Sequence, residues 1–332
     1  PAAGAQVTIV HTESGTVSRA TTDASGRYNA RGLRVGGPYT ITVEKDGETK
    51  TETDVYLSLD EVSQIDVSFS SQDLDVISVT GTRGSSVFAS DKMGSGSNVT
   101  RDQIEGFASI DRNLQDYVRF DPRIAQTDKS RNEISVGGQN PRYNAIRIDG
   151  ISTNDAFGLE SNSLPTPRQP FSMDVIDEIA VDVANYDVTI SGGTGGVINA
   201  ITKSGTNEFR GSVYAYYRDN DWSGKNENDV RPVLFDNEQT YGFTLGGPII
   251  KDRLFFFANY EKYKGKELFV GSGAGTGPIG SGQSNIVNIT QPQIDEVIRI
   301  ARNVWGFDPG VLALPPLDTE SEEYGIKIDW NI

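Results

Sequence analysis

Apolar positions in this chain recur at two periods, and the switches between them divide it. From Ala5 to Phe69 they alternate with polar ones in short runs: Ala5–Val10, Ser18–Thr22, Gly26–Arg31, Tyr39–Lys45, Glu48–Tyr56 and Glu61–Phe69. Turn signals such as Ser25-Gly26 and Asp46-Gly47 separate them, so the pattern predicts a small β-sandwich over 1–70, with Leu33, Val35, Tyr39, Ile41 and Val43 in its core. A Ser- and Gly-rich linker, 71–101, follows, holding one apolar run, Asp75–Thr80. A lone β-prone run of this kind is either an edge strand of a neighbour or a peptide offered for strand addition by a partner. In Ile110–Phe120 the spacing turns helical, with Ile110, Leu114, Tyr117 and Val118 on one face and Pro122 ending the element. Short β-patterned runs then return at Ile134–Val136, Ala145–Ile151, Val175–Val183 and Val197–Thr202, which predict a compact mixed α/β domain over 102–205.

The longest alternating segments lie in 206–332. Phe209, Gly211, Val213, Ala215 and Tyr217 face one way, against Arg210, Ser212, Tyr214, Tyr216 and Arg218. Tyr241, Phe243 and Leu245 alternate with glycines and Thr244; Leu254, Phe256, Ala258 and Tyr260 alternate with Phe255, Phe257, Asn259 and Glu261. The last run sets Tyr324, Ile326, Ile328, Trp330 and Ile332 against Gly325, Lys327, Asp329 and Asn331. A tight turn fits around Ile250–Arg253, whereas 219–238 and 265–320 are long connections. The longer one holds a helix from Gln291 to Val304, with Thr290 as its N-cap and Gly306 just past its end. Strands with one apolar and one polar face, aromatic near their ends and joined by alternately short and long connections, are the signature of a transmembrane β-barrel. A soluble β-sandwich with one solvated face accommodates each strand singly, and a multi-domain adhesion or matrix protein is the alternative that follows from it.

Composition narrows the chemistry. The net charge of −16, from 46 acidic and 30 basic residues, disfavours nucleic acid as a partner. With no cysteine and only His11, the chain has little material for thiolate or Ser–His catalysis or for a metal site, and the expectation is no enzyme, no catalytic residue, no metal and no cofactor. No window approaches the roughly 20 apolar residues of a spanning helix. Gly192–Gly196 precedes a β-run rather than a helix and lacks a following Lys-Ser/Thr, so it reads as tight turning and not as a phosphate cradle. Asp149-Gly150 reads as a turn. Asp174, Asp177 and Glu178 read as solvated charges, and His11 as a surface or edge-strand residue.

Two resemblances carry further. Val7–Ile9, Thr22–Tyr28, Gly32-Leu33 and Pro38–Val43 resemble the carboxypeptidase-regulatory-like β-sandwich, with the usual first strand missing before Pro1. Across nearly the whole chain, ordered motifs resemble the TonB-dependent receptors of the bacterial outer membrane, in particular the Oar-like group. Asp75–Arg83 resembles the TonB box, Asp102–Ile124 the first plug helices, and Ile134–Gly138 with Ile146–Gly150 paired plug strands. Asn185–Asp187 and Gly195–Asn207 resemble the plug's end, and Leu245–Ile249 with Asp252–Phe257 the second and third barrel strands. Many such receptors carry Arg-Gly where this chain has Gly137-Gly138.

The resemblance implies a mainly β protein: an N-terminal β-sandwich in the periplasm, a linker, a plug, and the first four strands of a barrel of about 22. Four strands leave edges that hydrocarbon does not tolerate, so the expectation is the N-terminal part of a longer protein. It also implies transport without covalent chemistry, energised by TonB with ExbB/ExbD in the periplasm, with outer-membrane lipid around the barrel. TonB would pair with Asp75, Val76, Ile77, Ser78, Val79 and Thr80, and a transported ligand would meet the outward plug turns near Gln139, Asn140, Asn154 and Phe171.

Overall fold

The structure is a computed structural model describing residues 2–59, 62–69, 96–129, 131–166, 168–183, 194–225, 235–267, 273–274, 286–287, 291–310 and 317–331. It divides into two compact units, one formed by residues 1–212, 244–259 and 325–332 and the other by 213–243 and 260–324. The fold is mainly β.

The first unit opens with strands β1 (Gln6–His11), β2 (Thr16–Thr21), β3 (Gly36–Lys45) and β4 (Glu48–Leu57), an antiparallel sheet of order β2-β1-β3-β4. Alternation buries Val7 and Ile9 of β1 against Tyr39, Ile41 and Val43 of β3. Tyr28, Leu33, Ile65, Val67 and Phe69 cover that face. The strands expected at 26–31 and 61–69 do not form among the described residues. Ile65, Val67 and Phe69 keep their period-two spacing, but it serves side-chain packing alone. A period of two reports which side chains turn inward, not whether the backbone finds a partner.

The same unit continues with β5 (Gly96–Val99), α1 (Arg101–Gly106), α2 (Leu114–Val118), β6 (Ile124–Asp128), β7 (Glu133–Val136), β8 (Ala145–Ile148), β9 (Ile151–Ser152), β10 (Ile176–Asp182) and β11 (Val197–Thr202). Five of these strands form a mixed sheet, β5-β10-β11-β8-β9, in which β11 and β8 are parallel and the other neighbours antiparallel. Leu114, Tyr117, Val118, Ile134, Ile146, Ile176, Ile179 and Ile198 are buried in one cluster on its inner face. Each is worth roughly 1.5–3 kcal/mol against exposure.

Two expectations need correcting here. Ile110 is exposed, because the helix begins only after Asn113, whose side chain accepts from the Asp116 N–H at 3.0 Å; Arg112, at φ 49°, breaks the run before it. Ile134–Val136 does not pair with Ala145–Ile148 either. β7 makes a separate hairpin with β6, and β8 joins the larger sheet through β11 and β9. The link between the two is a side chain, Asn144 Nδ2 donating to the Ile134 carbonyl at 2.9 Å.

The remaining elements are β12 (Arg210–Asp219), β13 (Phe235–Ile250), β14 (Leu254–Glu267), the two-residue parallel pair β15 (Gly273–Ala274) and β16 (Ile286–Val287), α3 (Gln291–Trp305) and β17 (Leu317–Trp330). The long strands are ordered β12-β13-β14-β17, with sequence neighbours adjacent. Their contacts run in opposite directions along neighbouring strands: Ser212 meets Thr244, a Cβ on Gly242 would meet Tyr214, and Arg218 pairs with Glu238. The sheet is therefore an up-and-down meander. Asp252, at φ 64°, makes the tight turn between β13 and β14 at the expected place. Among the described residues no helix is long and apolar enough to cross a membrane, which says nothing of strands. Thr290 lies outside the described residues, and Gly306 follows α3 at φ 63°.

The strand faces separate sharply. Phe209, Val213, Tyr241, Phe243, Leu245, Tyr324, Ile326, Ile328 and Trp330 are exposed, with Val213 and Ile326 at 89% and 80%. On the opposite face Thr240, Thr244, Phe255, Phe257 and Glu261 are buried, with the Tyr214 hydroxyl donating to the Glu261 carboxylate at 3.0 Å. An apolar face outward, with Thr240, Thr244 and the Tyr214–Glu261 hydrogen bond turned inward beside Phe255 and Phe257, suits an apolar solvent.

Candidate functional site

Polar turns gather at one end of β8. Gly137 and Gly138 have positive φ, which lets the chain leave β7 and reverse. Ser135 Oγ donates to the Gln139 carbonyl at 2.7 Å, and the Asn140 side chain accepts from the Arg142 N–H at 3.0 Å. Gln139 and Asn140 are both exposed. The next turn is tied by Asp155, whose carboxylate accepts from the N–H groups of Phe157, Leu159 and Glu160 at 2.5–3.0 Å. Those bonds hold its pKa below the usual carboxylate range. Phe157, Leu159 and Tyr143 project from these turns into solvent.

The other two ligand-contact candidates are placed differently. Asn154 Oδ1 accepts from the Ile146 N–H at 2.9 Å and its Nδ2 donates to the Asn144 carbonyl at 2.7 Å, so the side chain shapes the turn. Phe171 is buried in the central core. Gln139 and Asn140 thus share one exposed turn, whereas Asn154 ties a neighbouring turn and Phe171 packs in the central core. Asp75–Thr80 lies outside the described residues, as do Asn185–Asp187 and Gly192-Gly193. Gly195 and Gly196 are described, and they are tight: a Cβ on Gly196 would lie 2.5 Å from Val136 Cγ1.

At the opposite end of β8 the N-terminal sheet meets the strand ends, all within the first unit. Arg34 donates to the Gly205 carbonyl at 2.8 Å, lies 3.7 Å from Asp329 of β17, and places its guanidinium 5.1 Å above the Phe255 ring. Glu13 pairs with Arg210 at 2.6 Å, and Asn331 donates to Thr16 at 2.6 Å. Gly15 leaves no room for a Cβ beside Asp252. Lys327 reaches Thr202 at 3.1 Å and Asp149 at 3.7 Å, joining β17 to the central sheet. None of these contacts had a local sequence signal, since each joins residues far apart in the chain.

The charges read as solvated are engaged instead. Asp174 pairs with Arg112, Asp177 with Arg101 at 2.5 Å, and Glu178, 4% exposed, accepts from the Leu59 N–H at 2.9 Å and Asn98 Nδ2 at 2.7 Å. His11 is also buried rather than on the surface. Its Nδ1 accepts from the Ser14 N–H at 3.2 Å and its ring packs edge-on to Tyr39, while burial and then the nearby Arg34 charge lower its pKa. Period-two reading gave the faces of these strands but not the second layer that closes over them. Among the described residues no group of three or more His, Cys, Asp or Glu side chains is arranged to hold a metal ion.

Comparison with known proteins supplies the context for this geometry. Residues 1–70 match the carboxypeptidase regulatory-like domain, and residues 201–270 match an outer membrane beta barrel domain. The TonB-dependent transporter Oar of Myxococcus xanthus is 30% identical over 257 residues, covering 72% of this chain and 23% of the relative. The probable TonB-dependent siderophore receptor PirA of Acinetobacter baumannii is 27% identical over 199 residues, covering 54% of this chain and 24% of the relative. The crystal structure of the siderophore receptor PirA from that organism aligns with a TM-score of 0.41 at 26% identity, over 51% of this chain and 24% of that one. The chain thus spans about a quarter of the length of the curated relatives it matches.

Proposed function

We propose that this chain, a homologue of the TonB-dependent outer-membrane transporters, carries the energy-coupling and gating parts of such a transporter. Its outer membrane beta barrel match and its transporter homologues locate it in the outer membrane, and those homologues are transporters and receptors rather than enzymes. In this reading 1–70 is a periplasmic sandwich, 71–101 a linker with the TonB box, 102–205 the plug, and 206–332 the first four strands of a barrel of about 22. The observation that carries it is the inverted polarity of β12, β13, β14 and β17, directly downstream of a small mixed domain.

The mechanism is mechanical. TonB, with ExbB/ExbD, pairs by strand addition with Asp75, Val76, Ile77, Ser78, Val79 and Thr80, and tension on that segment loosens the plug within the barrel. The barrel wall faces lipid through residues such as Val213 and Ile326. The transported ligand meets the exposed turn at Gln139 and Asn140, beside the turn that Asn154 ties to β8. Deleting Asp75–Thr80 is expected to abolish energised uptake while leaving ligand binding and outer-membrane insertion intact. Uptake that survives the deletion rules out this coupling site.

A further inference from the structure

Glu178 occupies an unusual place in the central sheet. β10 carries a bulge between Ile176 and Glu178, after which Ile179 and Val181 face the apolar core. Glu178 and Ala180 turn to the other face, where Asn98 is paired with Ala180 across β5. Asn98 thus becomes the diagonal neighbour of Glu178, close enough for its Nδ2 to donate to Glu178 Oε1 at 2.7 Å. The same oxygen accepts from the Leu59 N–H at 2.9 Å, and Asn98 Nδ2 also donates to the Leu59 carbonyl at 2.9 Å. The three residues close a ring of hydrogen bonds around one buried carboxylate.

The sequence positions give the ring its meaning. Leu59 lies two residues past β4 of the N-terminal sheet, and Asn98 sits in β5, the first strand of the central sheet. The chain between them contains Asp75–Thr80. One side chain therefore ties the N-terminal sheet to β5, the strand that follows the coupling segment.

We infer that Glu178 is the latch of the coupling machinery, a positioning residue that fastens β5 and the N-terminal sheet to the central sheet until tension opens it. The inference rests on the coupling role proposed for Asp75–Thr80. β5 is four residues long and an edge strand whose one strand neighbour among the described residues is β10, so it is the element that load on residue 96 reaches first. A hydrogen bond to a buried charge is stronger than a neutral one and fails at once when its geometry is lost, which suits a contact that must hold at rest and release sharply.

The test uses the absence of cysteine from the 332 residues. Val99→Cys places a buried thiol on β5, facing the core, and Ile198→Cys places a second on the central strand β11. Both are probed in the full chain in outer membranes with a membrane-impermeant maleimide, with cellular energy collapsed, so the result judges the latch whether or not the parent responds to energy. Glu178→Ala is expected to raise the labelling rate at position 99 by about tenfold or more and to leave position 198 protected. Leu59→Pro, which removes the donor N–H without altering the central sheet, is expected to do the same, while Glu178→Gln, which keeps an acceptor oxygen but loses the charge, is expected to fall between the parent and Glu178→Ala. Unchanged labelling at position 99 in both Glu178→Ala and Leu59→Pro overturns the latch. So does equal exposure of positions 99 and 198, because Glu178 would then merely hold the sheet together. Energy-dependent labelling in the Val99→Cys parent is read separately, and its failure counts against the coupling role of Asp75–Thr80 instead.

Discussion

Asp121 holds β5 from the side away from Glu178, and it makes a quantitative prediction. Its carboxylate accepts from the Arg123 N–H at 2.9 Å, from Arg123 Nε at 2.8 Å and from Ser97 Oγ of β5 at 2.7 Å, with a further bond from the Arg123 Nη2. Burial alone would raise its pKa, but these bonds outweigh it and hold the group at about 2, against an ordinary 3.8. The difference corresponds to about 2 kcal/mol favouring the native state at neutral pH. Because the native pKa is the lower one, this stabilisation is complete above the unfolded value, about half gone at pH 3, and lost as pH falls through 2. Asp121→Asn should remove about 2 kcal/mol at pH 7 and also abolish that acid dependence. Hydrogen exchange of peptides covering 96–99 and 120–126, corrected for intrinsic rates and compared at pH 7 and pH 3, measures the local opening free energy. Equal opening energies for parent and variant at pH 7, or a parent insensitive to pH over that range, would refute the assignment of the lowered pKa to these bonds.

Two further expectations follow from close approaches and faces. Gly196→Ala forces a Cβ to within 2.5–2.7 Å of the Val136 side chain and should destabilise the central domain by about 1–3 kcal/mol in urea melts, with Val136→Ala recovering part of the loss. Ile326→Lys, on the outward face of β17, should cost about 2–4 kcal/mol in a bilayer and reduce the fraction of chain resistant to urea extraction from outer membranes, whereas Lys327→Arg on the opposite face should insert normally.

How much of this could be read in advance depended on the range of the interaction. The period of two fixed the faces of β13 and β17, because a side chain's direction is decided by its own backbone. The same reading failed for 62–69, where Ile65, Val67 and Phe69 alternate without pairing. The start of α2 was missed because the periodicity at Ile110 continues past the break at Arg112. Hydrophobic spacing carries no record of a single left-handed residue. Glu178 and His11 were misplaced for a different reason. Their burial comes from Leu59, Asn98, Ser14 and Tyr39, and a contact such as Leu59 to Glu178 leaves no local trace in composition or spacing. Gln139 and Asn140 were legible because a Gly-Gly pair followed by polar residues and Pro141 marks an exposed turn by itself.

The strict alternation of β17 also limits how this region can change over time. Removing or adding one residue among Tyr324–Trp330 would turn Lys327 and Asp329 outward and Ile326 and Ile328 inward, so a change of odd length there exchanges the two faces at a stroke. Point substitutions that respect polarity remain open to the strands, but length variation is confined to the connections, 220–234 and 268–316. Selection can therefore lengthen, shorten or replace those connections without disturbing the wall, leaving novelty to accumulate in the parts of the chain that the alternation does not govern.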